Sequence, residues 1–416
     1  MKKVLLGTTA LLAAGLLSTQ VSAGAVEASN LDVTLGGYGT FKIEYKSRET
    51  TVDDTLSYRS HNADFDSELE FKGSTTLDSG TSAGIEIEFE TGGAEVGIND
   101  ATADPIDENF IWVDGAMGKV YLGGVDAQEL EESIERTYVA IDLLKVDKNL
   151  NEAAFVTSAD TNGSQHNKII WVAPAMSGIE LAINYTPELA QNSIANVRDD
   201  TVGAKGEDLL IGAKWTGAFG TTDVKVSLTY GTAKAEDPTG DKDVEDDKRQ
   251  RLGIEIGMAT GITIGGYWMT SLADAEDITP SQDRVHKGIG GTWESGVWEV
   301  GVGFETGTED EMTEADVNTK LGTDKATRMD IGVTYTLNDD MDLTVGYRTE
   351  KYEDDQNAAL NENSTKSFDV KFEWDVGDGL EFDVGFQNFN YTHHDGLATS
   401  AKKTGNAAYV LTKVSF

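Results

Sequence analysis

The stretch "KSFDVKFEWDVGDGLEFDVGFQNFNY", Lys366 to Tyr391, decides the fold because apolar and polar residues alternate on both sides of one short turn. Its first arm places apolar residues at every second position from Phe368 to Trp374, and its second arm does the same from Leu380 to Phe386. Successive side chains of a strand point to opposite faces. The stretch therefore predicts a β-hairpin with one apolar face and one charged face.

The same hairpin pattern recurs along the chain. Paired arms meet across eight short turns: Asp78–Gly80, Gly115–Gly118, Pro174–Gly178, Gly217–Gly220, Thr260–Gly261, Glu294–Gly296, Asn338–Asp340 and Gly377–Gly379. One further arm precedes the first pair, and another, "AAYVLTKVSF", closes the chain. The count predicts an all-β protein of eighteen antiparallel strands, with sixteen as the alternative.

Longer polar segments separate the hairpins. They lie near residues 46–63, 91–107, 125–167, 187–206, 233–247, 271–283, 306–325, 351–365 and 391–405. A soluble β-sandwich has no reason to place every long connection at one end of its sheets, whereas a transmembrane β-barrel has short turns at one end and long loops at the other. Arms of roughly 9–11 residues also suit a tilted strand that crosses the hydrocarbon layer. The pattern favours a transmembrane antiparallel β-barrel.

Aromatic residues on the apolar face predict two girdles. Those next to short turns are Trp215, Trp293, Trp298, Tyr335 and Trp374, and those near long loops are Tyr45, Tyr230 and Tyr347. Indole and phenol groups favour the headgroup region, where the ring is in apolar surroundings and the polar tip is hydrated. The apolar face is therefore expected to meet lipid, and the charged face to line water. A barrel of 16 to 18 strands is wide enough to hold an aqueous channel.

The composition restricts the partners. The chain has 416 residues, no cysteine and a formal charge of −40. Nucleic acid is excluded as a partner because a polyanion would be repelled, and cations are favoured. Without cysteine, neither a disulfide framework nor a thiolate metal site can form.

The N-terminus predicts a secretory signal peptide. Lys2 and Lys3 precede an apolar run from Val4 to Leu17, and Val21-Ser22-Ala23 provides small residues for cleavage after Ala23. The apolar run is shorter than the roughly 20 residues that a spanning helix needs, and no comparable run follows. We therefore predict a signal peptide over 1–23 and a single β-barrel over 24–416.

Several segments resemble the general diffusion porins of Gram-negative outer membranes, especially the alphaproteobacterial type. They are "LDVTLGGYGTFKIEY", "FDSELEFKGSTTLDSGTSAGIEIEFE", "FIWVDGAMGKVYLGGVDA" and the terminal "VSF". The resemblance implies a trimeric barrel in the outer membrane whose third long loop folds inward as a constriction. Porins of that type have sixteen strands, and an eighteen-stranded barrel would instead resemble sugar-selective or substrate-specific porins, some of which are monomeric. The C-terminal Phe416 resembles the signal that the outer-membrane assembly machinery reads.

The apolar faces of the arms identify the side chains expected to point into the lumen. The acidic ones include Glu68, Glu70, Glu86 and Glu88 on two adjacent arms, and the basic ones include Lys42, Lys72, Arg249, Arg251, Arg328 and Arg348. We expect the acids to concentrate cations in the lumen. Basic residues across the barrel would create a transverse field, unless they are ordinary solvated wall residues.

The longest loop, 125–167, contains the segment "DAQELEESIER". Glu129, Glu132 and Glu135 recur every three residues, on one face of a short helix, and Asp126 lies near its start. By the resemblance this is the constriction loop, and the acids would form a lip at the narrowest section of the pore. The alternative is a surface helix with exposed acids.

The acidic segment 233–247, "AKAEDPTGDKDVEDD", is a weakly supported candidate for a calcium site. It lacks the glycine that an EF-hand requires at the sixth position after Asp241. Loosely bound divalent cations that bridge to lipopolysaccharide phosphates remain a second interpretation, and a solvated charged loop is a third. No cofactor is predicted.

The sequence as a whole predicts a porin that allows passive diffusion of small hydrophilic solutes and ions, with a preference for cations. Outer-membrane lipid and lipopolysaccharide are its expected surroundings, and a homotrimer its expected assembly. An enzyme is not expected, because four of the five histidines fall in predicted loops and none has a Gly-x-Ser-x-Gly setting. A substrate-specific eighteen-stranded porin and a plugged structural or adhesive barrel remain as alternatives.

Overall fold

The computed structural model describes residues 31–50, 60–90, 106–125, 167–188, 205–235, 247–273, 282–313, 316–353, 362–394 and 400–416. These residues form eighteen strands. The first nine are β1 (Leu31–Thr50), β2 (His61–Thr76), β3 (Ser82–Glu90), β4 (Ile106–Gly115), β5 (Gly118–Gly124), β6 (Asn167–Val172), β7 (Ile179–Glu188), β8 (Lys205–Phe219) and β9 (Thr222–Ala235). The second nine are β10 (Asp247–Met258), β11 (Ile262–Ala273), β12 (Gln282–Ser295), β13 (Trp298–Thr313), β14 (Asp316–Asn338), β15 (Met341–Glu353), β16 (Glu362–Gly377), β17 (Leu380–His394) and β18 (Ser400–Ser415).

The strands form one closed antiparallel barrel. Each strand pairs with its neighbours in sequence, and β1 also pairs with β18, from Tyr38–Ser415 to Thr50–Lys403. Closure leaves no sheet edge unpaired among the described strands, as a barrel in lipid requires. The prediction of eighteen strands is confirmed, and the sixteen-strand alternative is wrong. In the described part of the chain, no helix is long and apolar enough to cross a membrane.

The two faces of the wall differ in the way that the alternation predicted. Apolar side chains point outward and are exposed, as with Phe65 at 55% and Ile289 at 61%. Polar side chains point inward, where the concave wall crowds them, and Asp330 and Gln387 are 0% and 1% exposed. A soluble domain would bury the first set and expose the second. The barrel is therefore built for an apolar solvent outside and a polar interior.

All eight predicted short turns connect consecutive strands at one end of the barrel. One predicted long loop, 306–325, is wrong. Its residues extend β13 and β14 into a tall hairpin that is paired from Trp298–Tyr335 to Thr313–Asp316, with irregular register at the tip. Strand lengths also vary more than the predicted 9–11 residues, from 6 residues in β6 to 23 in β14.

Aromatic side chains ring the outer surface at two levels. Next to the short turns, Trp298 packs on Tyr335 with ring centroids 4.6 Å apart, and Trp374 packs near Phe382 at 6.0 Å. At the opposite level, Tyr45 is 53% exposed and points outward. Because such rings favour the headgroup region, the two levels mark the limits of the apolar band.

The C-terminal residue takes part in closing the barrel. The Phe416 N–H donates to the Gly37 carbonyl at 3.0 Å, and the Gly37 N–H donates to the Phe416 carbonyl at 3.2 Å. We expect deletion of Phe416 to remove both bonds, each worth about 1 kcal/mol, and to lower the yield of closed barrel on refolding in detergent. Heat-modifiable mobility on gels measures that yield. Phe416→Ala keeps both backbone bonds, and equal refolding losses in the two variants would contradict this account.

Several predicted features fall outside the described residues. These are the signal peptide over 1–23, nearly all of the loop 125–167 and most of the acidic segment 233–247. They remain predictions.

Candidate functional site

Acidic side chains dominate the inner face of β2 and β3. In the register of these strands, Glu70 lies across from Glu88, and Lys72 lies across from Glu86. Lys72 Nζ is 2.5 Å from Glu70 Oε1 and 2.8 Å from Glu86 Oε1. Carboxylate oxygens of Glu70, Glu86 and Glu88 lie within 4.8 Å of one another. A single lysine therefore lies against a cluster of three carboxylates, and Glu68 is a fourth acid on the same face.

The predicted basic residues Arg328 and Arg348 meet a shared carboxylate on β14. Arg328 Nε donates to Asp330 Oδ2 at 2.6 Å, and Arg348 Nε donates to Asp330 Oδ1 at 2.7 Å. Arg328 is also 3.6 Å from Glu305 Oε2 and 3.9 Å from Glu350 Oε1. The two guanidinium groups are thus surrounded by wall carboxylates.

Five other inward basic residues have acidic neighbours as well. The pairs are Lys42 with Glu44 at 4.0 Å, Lys214 with Glu180 at 3.3 Å, Lys225 with Glu255 at 2.8 Å, Lys371 with Glu373 at 2.9 Å and Asp383 at 3.0 Å, and Arg249 with Asp208. Arg251 is 9% exposed, and its Nη2 lies 3.7 Å from the Met269 sulfur. Local pairing thus offsets much of the basic charge that was expected to form one side of a transverse field.

An apolar patch on the inner wall was missed by the sequence reasoning. It consists of Phe110, Val125, Ile170, Ala182 and Leu210, which are all at most 6% exposed, with Trp112, Tyr121 and Val172 packed against them. Two of its strands contain continuous apolar runs, "FIWV" on β4 and "IIWV" on β6, in place of alternation. A continuous run is the signal that could have identified this patch, because such runs place apolar side chains on both faces.

Measured from the short turns, the described wall is lowest at β5 and β6, beside the apolar patch. These strands have 7 and 6 residues, and they pair only from Lys119–Val172 to Gly124–Asn167. Among the described residues, these two strands end closer to the short turns than the neighbouring β4 and β7 do. The predicted constriction acids Asp126, Glu129, Glu132 and Glu135 lie outside the described residues.

Large inward rings lie flat over glycines of the neighbouring strand. A Cβ at Gly84 would come within 2.6 Å of the Trp112 ring, and one at Gly385 would overlap the Tyr409 ring. A glycine allows this close approach because it has no side chain. The rings thus lie along the wall.

The histidines offer no catalytic constellation among the described residues. His286 is 7% exposed on the inner face of β12, and His61, His393 and His394 are in strands rather than in the predicted loops. A second cluster of carboxylates, from Glu373, Glu381 and Asp383, has oxygens within 4.8 Å of one another and includes the partners of Lys371.

A family model described as Gram-negative porin matches residues 7–356 of the chain. The match spans most of the barrel. Comparison with curated protein sequences gave no match.

Solved structures with the same architecture include three outer-membrane proteins. An anion-selective porin from Comamonas acidovorans is 14% identical, with a TM-score of 0.51, and the alignment covers 93% of this chain and 100% of that one. The outer membrane channel DcaP of Acinetobacter baumannii is 12% identical, with a TM-score of 0.51 and coverage of 95% and 100%. OmpT of Vibrio cholerae is 13% identical, with a TM-score of 0.50 and coverage of 92% and 98%. At these identities the likeness concerns the fold alone.

Proposed function

Because this chain belongs to the Gram-negative porin family and is a channel protein of the outer membrane, we propose that it forms a water-filled pore for small hydrophilic solutes and ions, with a preference for cations. Solutes move down their own gradients, and the protein acts as a channel rather than as an enzyme. Neither a cofactor nor an energy source is needed.

The observation that carries the cation preference is the local pairing of the inward basic residues. Arg328 and Arg348 share Asp330 and approach further carboxylates, so they add little positive field to the lumen. On β2 and β3, by contrast, Lys72 faces Glu70, Glu86 and Glu88. The uncompensated charge of the wall is therefore negative. In a lumen with low-dielectric walls, excess negative charge raises the local cation concentration.

We further propose that the segment 126–166 narrows the pore. Its support is the low wall at β5 and β6, from which the segment starts, and the inward apolar patch beside that point. Apolar side chains that face a water-filled lumen are unfavourable unless something covers them. The segment contains the apolar run "YVAIDLL" from Tyr138 to Leu144, which suits such a cover. Glu132 and its acidic neighbours would then add negative charge at the narrow section.

The test is the reversal potential of the refolded protein in a planar bilayer under a potassium chloride gradient. We expect stable conductance steps and a potential that favours potassium. The double variant Glu68→Gln/Glu88→Gln leaves Glu70 and Glu86, the partners of Lys72, in place. It should reduce the permeability ratio of potassium to chloride by about twofold or more, because Coulomb attraction inside the lumen is only partly screened.

The matched control is Asp78→Asn/Asp339→Asn, which makes the same change in net charge at exposed short turns. It should leave the permeability ratio close to that of the unaltered protein. A chloride preference in the unaltered protein would overturn the proposed selectivity. Folded protein without conductance would favour the plugged barrel over an open pore.

We also propose a homotrimer, as the resemblance to general diffusion porins implies. Native mass spectrometry of the detergent-solubilised protein tests this, and a monomer at all concentrations would support the alternative of a monomeric, substrate-specific porin.

A further inference from the structure

Three carboxylates meet on the inner face of β16 and β17, close to the short turn that joins these strands. Glu373 lies across from Asp383 in the register of the two strands, and Glu381 lies two residues before Asp383 on β17. Each residue offers one carboxylate oxygen, and these three oxygens lie within 4.8 Å of one another. We call Glu373, Glu381 and Asp383 the turn-end acids.

Lys371 occupies one oxygen on each of two turn-end acids. Its Nζ is 2.9 Å from Glu373 Oε1 and 3.0 Å from Asp383 Oδ2. The other oxygen of Asp383, Oδ1, is buried and accepts no hydrogen bond from the described residues. Asp383 as a whole is only 5% exposed. A buried carboxylate oxygen without a donor is unfavourable, so Asp383 Oδ1 has the capacity to bind a ligand from outside the chain.

Glu381 has no ion-pair partner among the described residues. Lys413 lies across from it on β18, but the Lys413 ammonium group lies over the Tyr38 ring, 5.4 Å from its centroid. The three turn-end acids and Lys371 together therefore carry two uncompensated negative charges.

Two more acids border the turn-end acids. Asp342 lies across from Glu373 on β15, and Asp375 lies across from Glu381 on β16. Each of the two already accepts a hydrogen bond, and no described basic side chain forms an ion pair with either. They strengthen the local attraction for cations.

The spacing of the oxygens distinguishes between divalent cations. Calcium binds carboxylate oxygens at about 2.3–2.6 Å in flexible geometry, so one ion can bridge oxygens that are as far apart as those of the turn-end acids. Magnesium binds at about 2.0–2.1 Å, demands a near-ideal octahedron and gives up its water reluctantly. A double positive charge also matches the two uncompensated negative charges. Size and charge therefore favour calcium.

We propose that the turn-end acids bind one calcium ion on the inner wall. Glu373 and Glu381 each supply an oxygen, Asp383 supplies the buried Oδ1, and water from the lumen completes the coordination shell. Lys371 keeps its bonds to the remaining oxygens of Glu373 and Asp383. The ion links β16 to β17 at the short-turn end of the barrel, and the site includes no part of the long loops.

The carboxylates on β2 and β3 differ from the turn-end acids in one respect. The oxygens of Glu70, Glu86 and Glu88 have similar spacing, but none of them is buried without a hydrogen bond. Lys72, which lies against them, is also 44% exposed in its side chain. The calcium site is therefore assigned to β16 and β17.

The experiment is equilibrium dialysis of the refolded full chain in detergent against radioactive calcium chloride at fixed ionic strength. The unaltered protein should bind calcium saturably, and magnesium should compete at least about tenfold less effectively. Glu381→Gln removes a ligand that has no described ion-pair partner, so the barrel should still fold while its calcium affinity falls at least about tenfold. Lys371→Met removes the neighbouring positive charge and should raise the calcium affinity about fivefold or more. The matched control is Glu299→Gln, which changes an acid at the short-turn end of β13 and should leave the affinity unchanged.

Three results would overturn the proposal. One is the absence of saturable calcium binding by the unaltered protein, a result that does not depend on any variant folding. Another is equal affinity for magnesium and calcium, which would mean general attraction of cations to an acidic wall. The third is an unchanged calcium affinity in both Glu381→Gln and Lys371→Met.

Bound calcium should also alter ion selectivity, because it compensates two negative charges of the lumen. At constant ionic strength, calcium should lower the permeability ratio of potassium to chloride more in the unaltered protein than in Glu381→Gln. Equal lowering in the two proteins would mean that calcium acts elsewhere in the lumen. This readout rests on the proposed channel function, whereas dialysis measures the site directly, so failure of the site is distinguishable from failure of the channel.

Discussion

Asp330→Asn should both destabilise the barrel and shift its ion preference toward chloride. Asp330 is fully buried and accepts hydrogen bonds from Arg328 and Arg348, one on each carboxylate oxygen. An amide keeps the shape of the side chain but loses its negative charge. The positive charges of the two guanidinium groups are then neutralised by fewer carboxylates. Removing one partner of a buried ion pair typically costs about 3–5 kcal/mol. We expect a lower midpoint of unfolding in urea and a lower permeability ratio of potassium to chloride.

The matched control for this experiment is Asp342→Asn. Asp342 also points inward, on β15, and accepts a hydrogen bond from the Thr336 hydroxyl at 2.7 Å, but no described basic side chain forms an ion pair with it. The control removes the same charge from the wall without leaving buried arginines uncompensated. If both variants lose stability and selectivity to the same extent, the arginine pairs have no special role and net charge alone accounts for the effects.

The hairpin pattern was predictable because its signals are local. Alternation of period two fixes which face of a strand is apolar, and short turns such as Gly377–Gly379 divide the arms. The long loop predicted at 306–325 failed for a physical reason. Above the apolar band both faces of a strand are in water, so alternation of apolar residues ends while the backbone hydrogen-bond ladder continues from Thr306–Thr327 upward.

The pairing of inward charges was not predictable, because it depends on register between strands. Arg348 lies across from Asp330 only in the observed alignment of β14 and β15, and a shift of two residues would place it beside Arg328 or Gly332 instead. The alternation of apolar and polar positions alone identified both arginines as inward-facing, but it did not identify their ion-pair partners. The alternation also failed to predict the inner apolar patch, because Phe110 and Ile170 are apolar residues at inward positions, where the alternation predicts polar ones.

Gly385→Val should lower both the stability of the barrel and its conductance. The ring of Tyr409 lies over Gly385 on the inner wall, and a Cβ at this position would overlap the ring. Tyr409 is 5% exposed and packs with Ala407 and Leu411, so it has little room to move along the wall. The valine must therefore push the ring into the lumen or distort β17, and overpacking of this kind typically costs about 1–3 kcal/mol. Single-channel conductance and urea unfolding measure the two effects.

A double-mutant cycle separates the ring clash from a general intolerance of valine on the inner face. Tyr409→Ala in the Gly385→Val background removes the overlap, so it should restore conductance and recover most of the lost stability. Gly257→Val is the matched control, because a Cβ at Gly257 would meet only ordinary contacts of 3.9 Å with Asp223 and Thr263. Equal losses of stability and conductance in Gly257→Val and Gly385→Val would contradict this account. So would a double variant that recovers neither quantity, because Gly385 would then not be needed to let the tyrosine ring lie against the wall. Recovery confined to the Gly385 pair would show that aromatic rings over glycines keep this lumen open, because a Cβ at Gly257 would meet no aromatic ring within 4 Å.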